Sequence, residues 1–112
     1  MSAITTHVLD LSVGRPAAGV AVTLERADAA GWTRIAERVT DADGRVRDLL
    51  APGALTAGRW RLTFATGPYF AVRGVRTFLP EAAVTFEVVD AAQHHHVPLL
   101  LSPFGFSTYR GS

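Results

Sequence analysis

The sequence predicts an all-β protein, a two-sheet β-sandwich of about eight strands with one short helix. Two observations lead to this prediction. Apolar and polar residues alternate over most segments, as they do when one face of a strand is buried and the other is not. Turn-forming stretches rich in Gly, Pro and Asp divide these segments into short pieces of similar length. With 112 residues the chain has the length of one domain, which we expect to cover residues 1–112.

The strands follow one another along the chain with little between them. THVLDL near the start is the first, and four alternating stretches follow it: GVAVTLER, GWTRIAERV, GRWRLTFAT and AVTFEVVD. DAAG, DADG and APGALTAG are the turns between them. The last two strands, roughly 94–101 and 105–111, form a hairpin through the turn SPFG. Only GPYFAVRGVRTFLP lacks alternation, and Pro68 suits a first helical turn, so we expect the helix near 68–77.

Charge and composition exclude several classes of function. Eleven arginines and no lysine face ten acidic residues, and the signs are mixed along the chain, which disfavours nucleic acid and anionic membranes as partners. No apolar run is long enough to span a membrane, and MSAITTHVLDL lacks the features of a signal peptide. The absence of cysteine excludes disulfides, thiolate metal sites and cysteine nucleophiles. We therefore expect a soluble, cytoplasmic protein.

The histidine run HHHVPLLL is the first candidate for chemistry. On a strand, His94 and His96 share one face, while His95 points to the opposite face with Val97. The pair could supply a general base or metal ligands, or the run could be three polar residues that lead from a loop into a strand. Pro98 cannot donate a ladder hydrogen bond, so it predicts an edge strand, a strand end or a bulge.

His7 is the fourth histidine, and alternation places it on one face of the first strand with Leu9. If His7, His94 and His96 converged, they would form a three-histidine zinc site with an open position for water. A half-buried strand histidine without a role in any site is the other interpretation. The residues alone leave both open.

The stretch DADGR superficially resembles a calcium-binding loop. With Asp41 as its first position, Val46 falls where glycine belongs and Pro52 where the bidentate glutamate belongs, so the spacing fails. The better interpretation is a turn that leads Arg45 into the next strand. There the guanidinium is either a solvated charge or a donor aimed at a planar ligand.

A serine nucleophile is disfavoured as well. Neither Ser107 nor Ser112 lies in the G-x-S-x-G pattern of a nucleophile elbow, and a terminal serine lacks the strained turn of that motif. The residues by themselves thus indicate a β-sandwich with a candidate site of His and Arg, and no particular reaction.

Three blocks of the chain resemble the transthyretin-related 5-hydroxyisourate hydrolases. These are ITTHVLDLSVGRPAAGVAVTLER, TDADGRV and HHHVPLLLSPFGFSTYRGS, which occur in the family's order and extend over essentially the whole chain. The ending Tyr109-Arg110-Gly111-Ser112 resembles the family's hallmark, which separates the enzymes from transthyretins that carry hormone. The resemblance implies a transthyretin-like sandwich assembled as a homotetramer, a dimer of dimers, with active sites in the channel between dimers.

The resemblance also implies a reaction and its residues. The reaction is hydrolysis of 5-hydroxyisourate to 2-oxo-4-hydroxy-4-carboxy-5-ureidoimidazoline in urate breakdown, without a cofactor or metal. The implied catalytic residues are His7, Arg45, His96 and Ser112, and the implied substrate-binding residues are His7, Arg45, Tyr109, Arg110, Gly111 and Ser112. Imidazole suits the deprotonation of water near neutral pH, and a guanidinium suits stabilisation of the developing anion. His94 and His95 receive no role. The alternative is a small-ligand carrier on the same fold.

Overall fold

A computed structural model describes residues 2–112 as nine strands and one short helix. The elements are β1 (Ile4–Asp10), β2 (Arg15–Pro16), β3 (Ala21–Asp28), β4 (Gly31–Val39), β5 (Arg45–Val46), β6 (Gly58–Phe64), α1 (Thr66–Val72), β7 (Ala82–Val88), β8 (His95–Ser102) and β9 (Gly105–Thr108). β2 and β5 have only two residues each, so the prediction of about eight strands with one helix is confirmed.

The strands form two sheets with the apolar core between them. One sheet has the order β2-β1-β8-β9, with β5 also paired to β1, and the other has the order β4-β3-β6-β7. β1 and β8 are parallel, and every other pair is antiparallel. Trp60, Leu62 and Phe64 of β6 are fully buried, as their alternation with polar residues predicted. No helix within residues 2–112 is both long enough and apolar enough to cross a membrane.

The helix is shorter than the predicted range 68–77. It begins at Thr66, which places Pro68 in the first turn, where a missing N–H leaves no intrahelical bond unmade. It ends at Val72, and Gly74 follows with φ of 71°, a conformation typical of the residue that terminates a helix.

Pro98 does not lie in an edge strand, because β8 runs between β1 and β9. The β8–β9 ladder extends only to the pair of Leu99 and Thr108 and resumes at an isolated bridge between His96 and Gly111. Pro98 faces the gap, where its carbonyl accepts a 2.7 Å hydrogen bond from the Thr108 hydroxyl. The backbone N–H that Pro98 lacks is therefore not needed for pairing with β9. The predicted last strand, 105–111, ends early at Thr108 because the ladder is interrupted opposite Pro98.

The alternation predicted for the histidine run is confirmed. His95 is 4% exposed and lies on the core side of β8 with Val97, whereas His96 is half-buried on the outer side. Among residues 2–112, no partner is found for Nδ1 of His95. Burial, followed by the positive charge of Arg110, lowers the pKa of His95. A neutral imidazole on the core side is the form that such surroundings favour.

Candidate active site

Pairing of β1 with β5 and β8 brings distant parts of the sequence together on the outer face of the five-stranded sheet. Thr5 is opposite His96, and His7 is opposite Arg45 on one side and Pro98 on the other. A cleft of about 340 Å³ lies on this face, lined by Thr5, Thr6, Arg45, Val46, Arg47, His94, His96 and Ser112. Three of the four residues implied as catalytic line this cleft, and the fourth, His7, is the strand neighbour of Arg45.

The turn between β4 and β5 positions Arg45 and also contacts the imidazole of His7. Its Asp41 carboxylate accepts hydrogen bonds from the backbone N–H groups of Asp43 and Arg45, at 2.9 and 3.0 Å. Gly44 has φ of 75°, and a Cβ there would lie 2.4 Å from the Val8 carbonyl oxygen. Only glycine therefore lets this turn pack against β1, which fixes the start of β5 beside His7.

The imidazole of His7 is oriented by that same turn. Its Nε2 lies 2.8 Å from the backbone carbonyl oxygen of Asp43. A carbonyl can only accept a hydrogen bond, so Nε2 carries the proton and Nδ1 of neutral His7 keeps a free lone pair. Burial, and next the positive charge of Arg45, lowers the pKa of His7. The ring is thus held as a neutral potential base near neutral pH.

His96 has a hydroxyl partner and several positive or potentially positive neighbours. Thr5 Oγ1 lies 2.8 Å from Nδ1 of His96 and 3.0 Å from Nε2 of His94. The two imidazole rings are stacked, with centroids 6.5 Å apart and an interplanar angle of 15°. Burial first, and then Arg45, His7 and His94, lowers the pKa of His96. His96 is therefore favoured in its neutral form, which is the form a general base requires.

Sequence reasoning missed Thr5, and the family resemblance gave no role to His94. Alternation does place Thr5 on the face of His7, but threonine is common in strands and this signal is weak. Thr5 lies beside His96 because of the register of β1 against β8. That register pairs residues from the two ends of the chain, so no local sequence pattern indicates it.

The C-terminal residues reach the cleft through one glycine. The Gly111 N–H donates a 2.8 Å hydrogen bond to the His96 carbonyl oxygen. A Cβ at Gly111 would lie 2.6 Å from Cδ2 of the His96 ring, so a larger residue would push the ring or the tail away. Glycine at this position is thus required by the close approach, and it brings Ser112 to the wall of the cleft.

Tyr109 and Arg110 lie elsewhere within the chain. They line a second depression of about 270 Å³ beside β7, together with His95. Tyr109 is 57% exposed, and Arg110 Nη2 donates to the Gln93 side-chain oxygen at 3.2 Å and to the His94 carbonyl oxygen at 3.1 Å. Of the four terminal residues, the structure places Gly111 and Ser112 at the cleft and Tyr109 and Arg110 at the depression beside β7.

The histidines do not form the three-ligand metal site considered from the sequence. Among residues 2–112, no group of three His, Cys, Asp or Glu side chains is placed to hold a metal ion. Nε2 of His7 is directed at the Asp43 carbonyl, while Nε2 of His94 and Nδ1 of His96 both meet the Thr5 hydroxyl. The zinc alternative is therefore not supported by the donor geometry.

The sheet topology and the imidazole–guanidinium cleft define a transthyretin-like β-sandwich with a polar site on the outer face of one sheet. The family model described as the HIUase/Transthyretin family matches residues 4–111, and the chain belongs to that family.

Hydrolases and a transthyretin are both similar to the chain over nearly its whole length. The 5-hydroxyisourate hydrolase of Caulobacter vibrioides is 48% identical over 116 residues, which cover 100% of both chains. The structure of Klebsiella pneumoniae 5-hydroxyisourate hydrolase has 41% identity and a TM-score of 0.87, with 100% of both chains covered. Sea bream transthyretin in complex with thyroxine has 34% identity and a TM-score of 0.91, with 96% of this chain and 93% of that chain covered.

Removal of the Arg45 charge is expected to raise the pKa values of His7 and His96, because that charge disfavours protonation of both rings. The Arg45→Gln variant tests this when histidine ring signals are followed by NMR as the pH is lowered. Each ring should then become protonated at a higher pH than in the wild type. Arg59→Gln, which removes the same charge from the other sheet, is the matched control. Unchanged titration of both rings in Arg45→Gln would contradict the electrostatic account.

Proposed function

We propose that this protein hydrolyses 5-hydroxyisourate to 2-oxo-4-hydroxy-4-carboxy-5-ureidoimidazoline in the breakdown of urate. The full-length similarity to 5-hydroxyisourate hydrolases supports the substrate and the hydrolase class. The observation that carries the proposal is that His96, Arg45 and Ser112 line a single cleft, with His7 paired to Arg45 on the neighbouring strand. A cytoplasmic location stays a prediction from the sequence.

The reaction needs a base, a charge and a proton donor, and the cleft residues match these needs. A neutral imidazole of His7 or His96 takes a proton from water as the water oxygen bonds to a carbonyl carbon of the substrate ring. Arg45 binds the polar edge of the ring and stabilises the oxyanion that forms on that carbonyl. The ring C–N bond then breaks, and the imidazolium returns the proton to the departing nitrogen. Atoms and charges balance without a cofactor.

The terminal residues complete the proposed site. Ser112 hydrogen-bonds the substrate or the attacking water at the cleft wall, and Gly111 allows the chain to pass close to His96. Tyr109 and Arg110 contribute to substrate binding in the assembled protein, where more than one chain surrounds the substrate. Within one chain these two residues line the depression beside β7 and not the cleft, so this part of the proposal depends on the assembly.

We propose that the assembly is a homotetramer, a dimer of dimers, with the active sites at the dimer–dimer interface. Two features of the chain support an assembly. β7 and β9 are at the edges of their sheets, where unpaired backbone groups are available to another chain. Phe104 and Tyr109, next to β9, are large and mostly exposed, at 66% and 57%. A second dimer facing the outer sheet would enclose the cleft and exclude bulk water from it.

Purified protein is expected to accelerate the loss of freshly generated 5-hydroxyisourate, followed by its ultraviolet absorbance. His7→Asn, Arg45→Gln and His96→Asn should each reduce turnover about a hundredfold or more, because each removes a general base or the stabilising charge. Arg59→Gln, on the other sheet, should retain the wild-type rate. Folding of each variant is checked by circular dichroism.

Two results of this assay would contradict the proposal. Wild-type protein that leaves the spontaneous decay unchanged would favour the alternative, a small-ligand carrier like the thyroxine-binding relative. Wild-type rates in all three site variants would refute the assignment of the residues.

Deletion of Gly111 and Ser112 is expected to impair catalysis more than folding. It removes one backbone hydrogen bond, worth about 1 kcal/mol, but opens the cleft wall beside His96. Turnover and thermal unfolding of the deletion variant are measured beside Ser112→Ala, which keeps the backbone contact and removes only the hydroxyl. A deletion variant with the full wild-type rate would show that the terminal residues have no part in the site.

The homotetramer is tested by sedimentation equilibrium, which should give the mass of four chains at the concentration used in the assay. The measurement is repeated over a dilution series, with activity followed in parallel. A monomer with full activity would contradict the proposed location of the sites at an interface.

A further inference from the structure

Thr5 lies between two histidine rings and has no role in the proposed reaction. The residue is only 6% exposed, and its hydroxyl oxygen lies within hydrogen-bond distance of Nδ1 of His96 and Nε2 of His94. Its backbone is fixed by the parallel pairing of β1 with β8, in which Thr5 is directly opposite His96. The oxygen is therefore held at this point by the sheet.

The proton count at this oxygen restricts the tautomers of the two rings. A hydroxyl has one proton, so Thr5 can donate to only one imidazole and must accept from the other. If it donates to Nδ1 of His96, the remaining proton of neutral His96 is on Nε2, and the ring has no free lone pair. If it donates to Nε2 of His94, then His96 carries its proton on Nδ1 and has a free lone pair on Nε2.

His94 decides between these two arrangements. A neutral His94 with its proton on Nδ1 offers Nε2 as an acceptor, which draws the Thr5 proton away from His96. A His94 that carries a proton on Nε2 donates it to Thr5, which turns the Thr5 proton toward His96. The base form of His96 is thus available only when Nε2 of His94 is an acceptor.

We propose that Thr5 and His94 are positioning residues that set the tautomer of His96, so that Nε2 of His96 is the free base in the cleft. This inference rests on the proposed hydrolase function. Neither residue touches the reacting atoms, and both act through His96.

The surroundings of His96 make the tautomer the deciding variable. Arg45 on β5, His7 on β1 and His94 on the segment before β8 all disfavour a positive charge on the ring. His96 is therefore neutral near neutral pH, and a neutral imidazole is a base at one nitrogen only. Without control of the tautomer, part of the population would present Nε2–H to the water and would be inactive.

Thr5→Val and Thr5→Ser form the first test. Valine keeps the shape of threonine and removes the hydroxyl, while serine keeps the hydroxyl. Thr5→Val should lower kcat about tenfold or more, because a fraction of the molecules would then have His96 protonated on Nε2. KM should change little, because the substrate contacts remain. Thr5→Ser should restore most of the rate. Equal rates in Thr5→Val and the wild type would overturn the proposal.

His94→Phe and His94→Gln test the same connection from the other ring. Phenylalanine cannot accept a hydrogen bond from Thr5, so the Thr5 hydroxyl is free to donate to His96. We therefore expect kcat to fall as in Thr5→Val. Glutamine supplies a carbonyl oxygen that accepts from Thr5, and it should retain more activity than phenylalanine. The reverse order of activities would overturn the proposal. This pair also keeps the test available if Thr5→Val does not fold.

Nitrogen NMR of the histidine rings reads the tautomer without substrate. In the wild type near neutral pH, His96 should show a protonated Nδ1 and an unprotonated Nε2, and Thr5→Val should shift the proton toward Nε2. A wild-type ring protonated on Nε2 overturns the proposal even if the enzyme is active. A wild-type protein with the expected tautomer and no hydrolysis would instead refute the hydrolase function and leave the Thr5–His94 arrangement standing.

Discussion

The parallel pairing of β1 with β8 is the constraint on which the site depends. Its register sets Thr5 opposite His96 and His7 opposite Pro98, and it joins residues from the two ends of the chain. A slip of one residue would exchange the faces of a strand and move the histidines into the core. The buried residues on the opposite face, Ile4 and Val8 among them, prevent that slip, because it would expose them. Burial of apolar residues on the core face thus fixes the register that places Thr5, His7 and His96 on the outer face.

The charges of the cleft are arranged to keep its imidazoles neutral. Burial and the Arg45 guanidinium lower the pKa values of both His7 and His96. In the proposed reaction the same guanidinium would also stabilise the oxyanion, so one group would both favour the base form and match the developing charge. The Asp41 carboxylate, which pairs with Arg47 at 2.7 Å, acts to raise the pKa of His7, but it has a smaller effect than burial and Arg45.

Local pattern predicted the faces of the strands but not their partners. Alternation alone put His95 and His96 on opposite faces of one strand, and His7 on the face opposite Val8 and Asp10, and both placements are confirmed. It could not give the register between β1 and β8, so Thr5 was missed. Of the edge strand, strand end and bulge inferred from Pro98, only the edge strand is excluded, because a proline needs a missing hydrogen bond on one side of its strand and not a sheet edge. Here the gap in the β8–β9 ladder satisfies that requirement inside the sheet.

The division between core face and outer face explains how one fold can serve two functions. Sea bream transthyretin, with thyroxine bound, matches this chain at a TM-score of 0.91, so the backbone differs little between a binding protein and the hydrolase relatives. The core depends on buried apolar residues such as Val8 and Leu99, whereas the cleft is built on the outer face of the same strands. Alternation makes these two sets of residues nearly independent, since the side chains of His7 and His96 are not part of the buried core. The candidate site on this sandwich therefore consists of a few outward positions, together with the Thr5 hydroxyl and the glycine at 111 that approach the His96 ring.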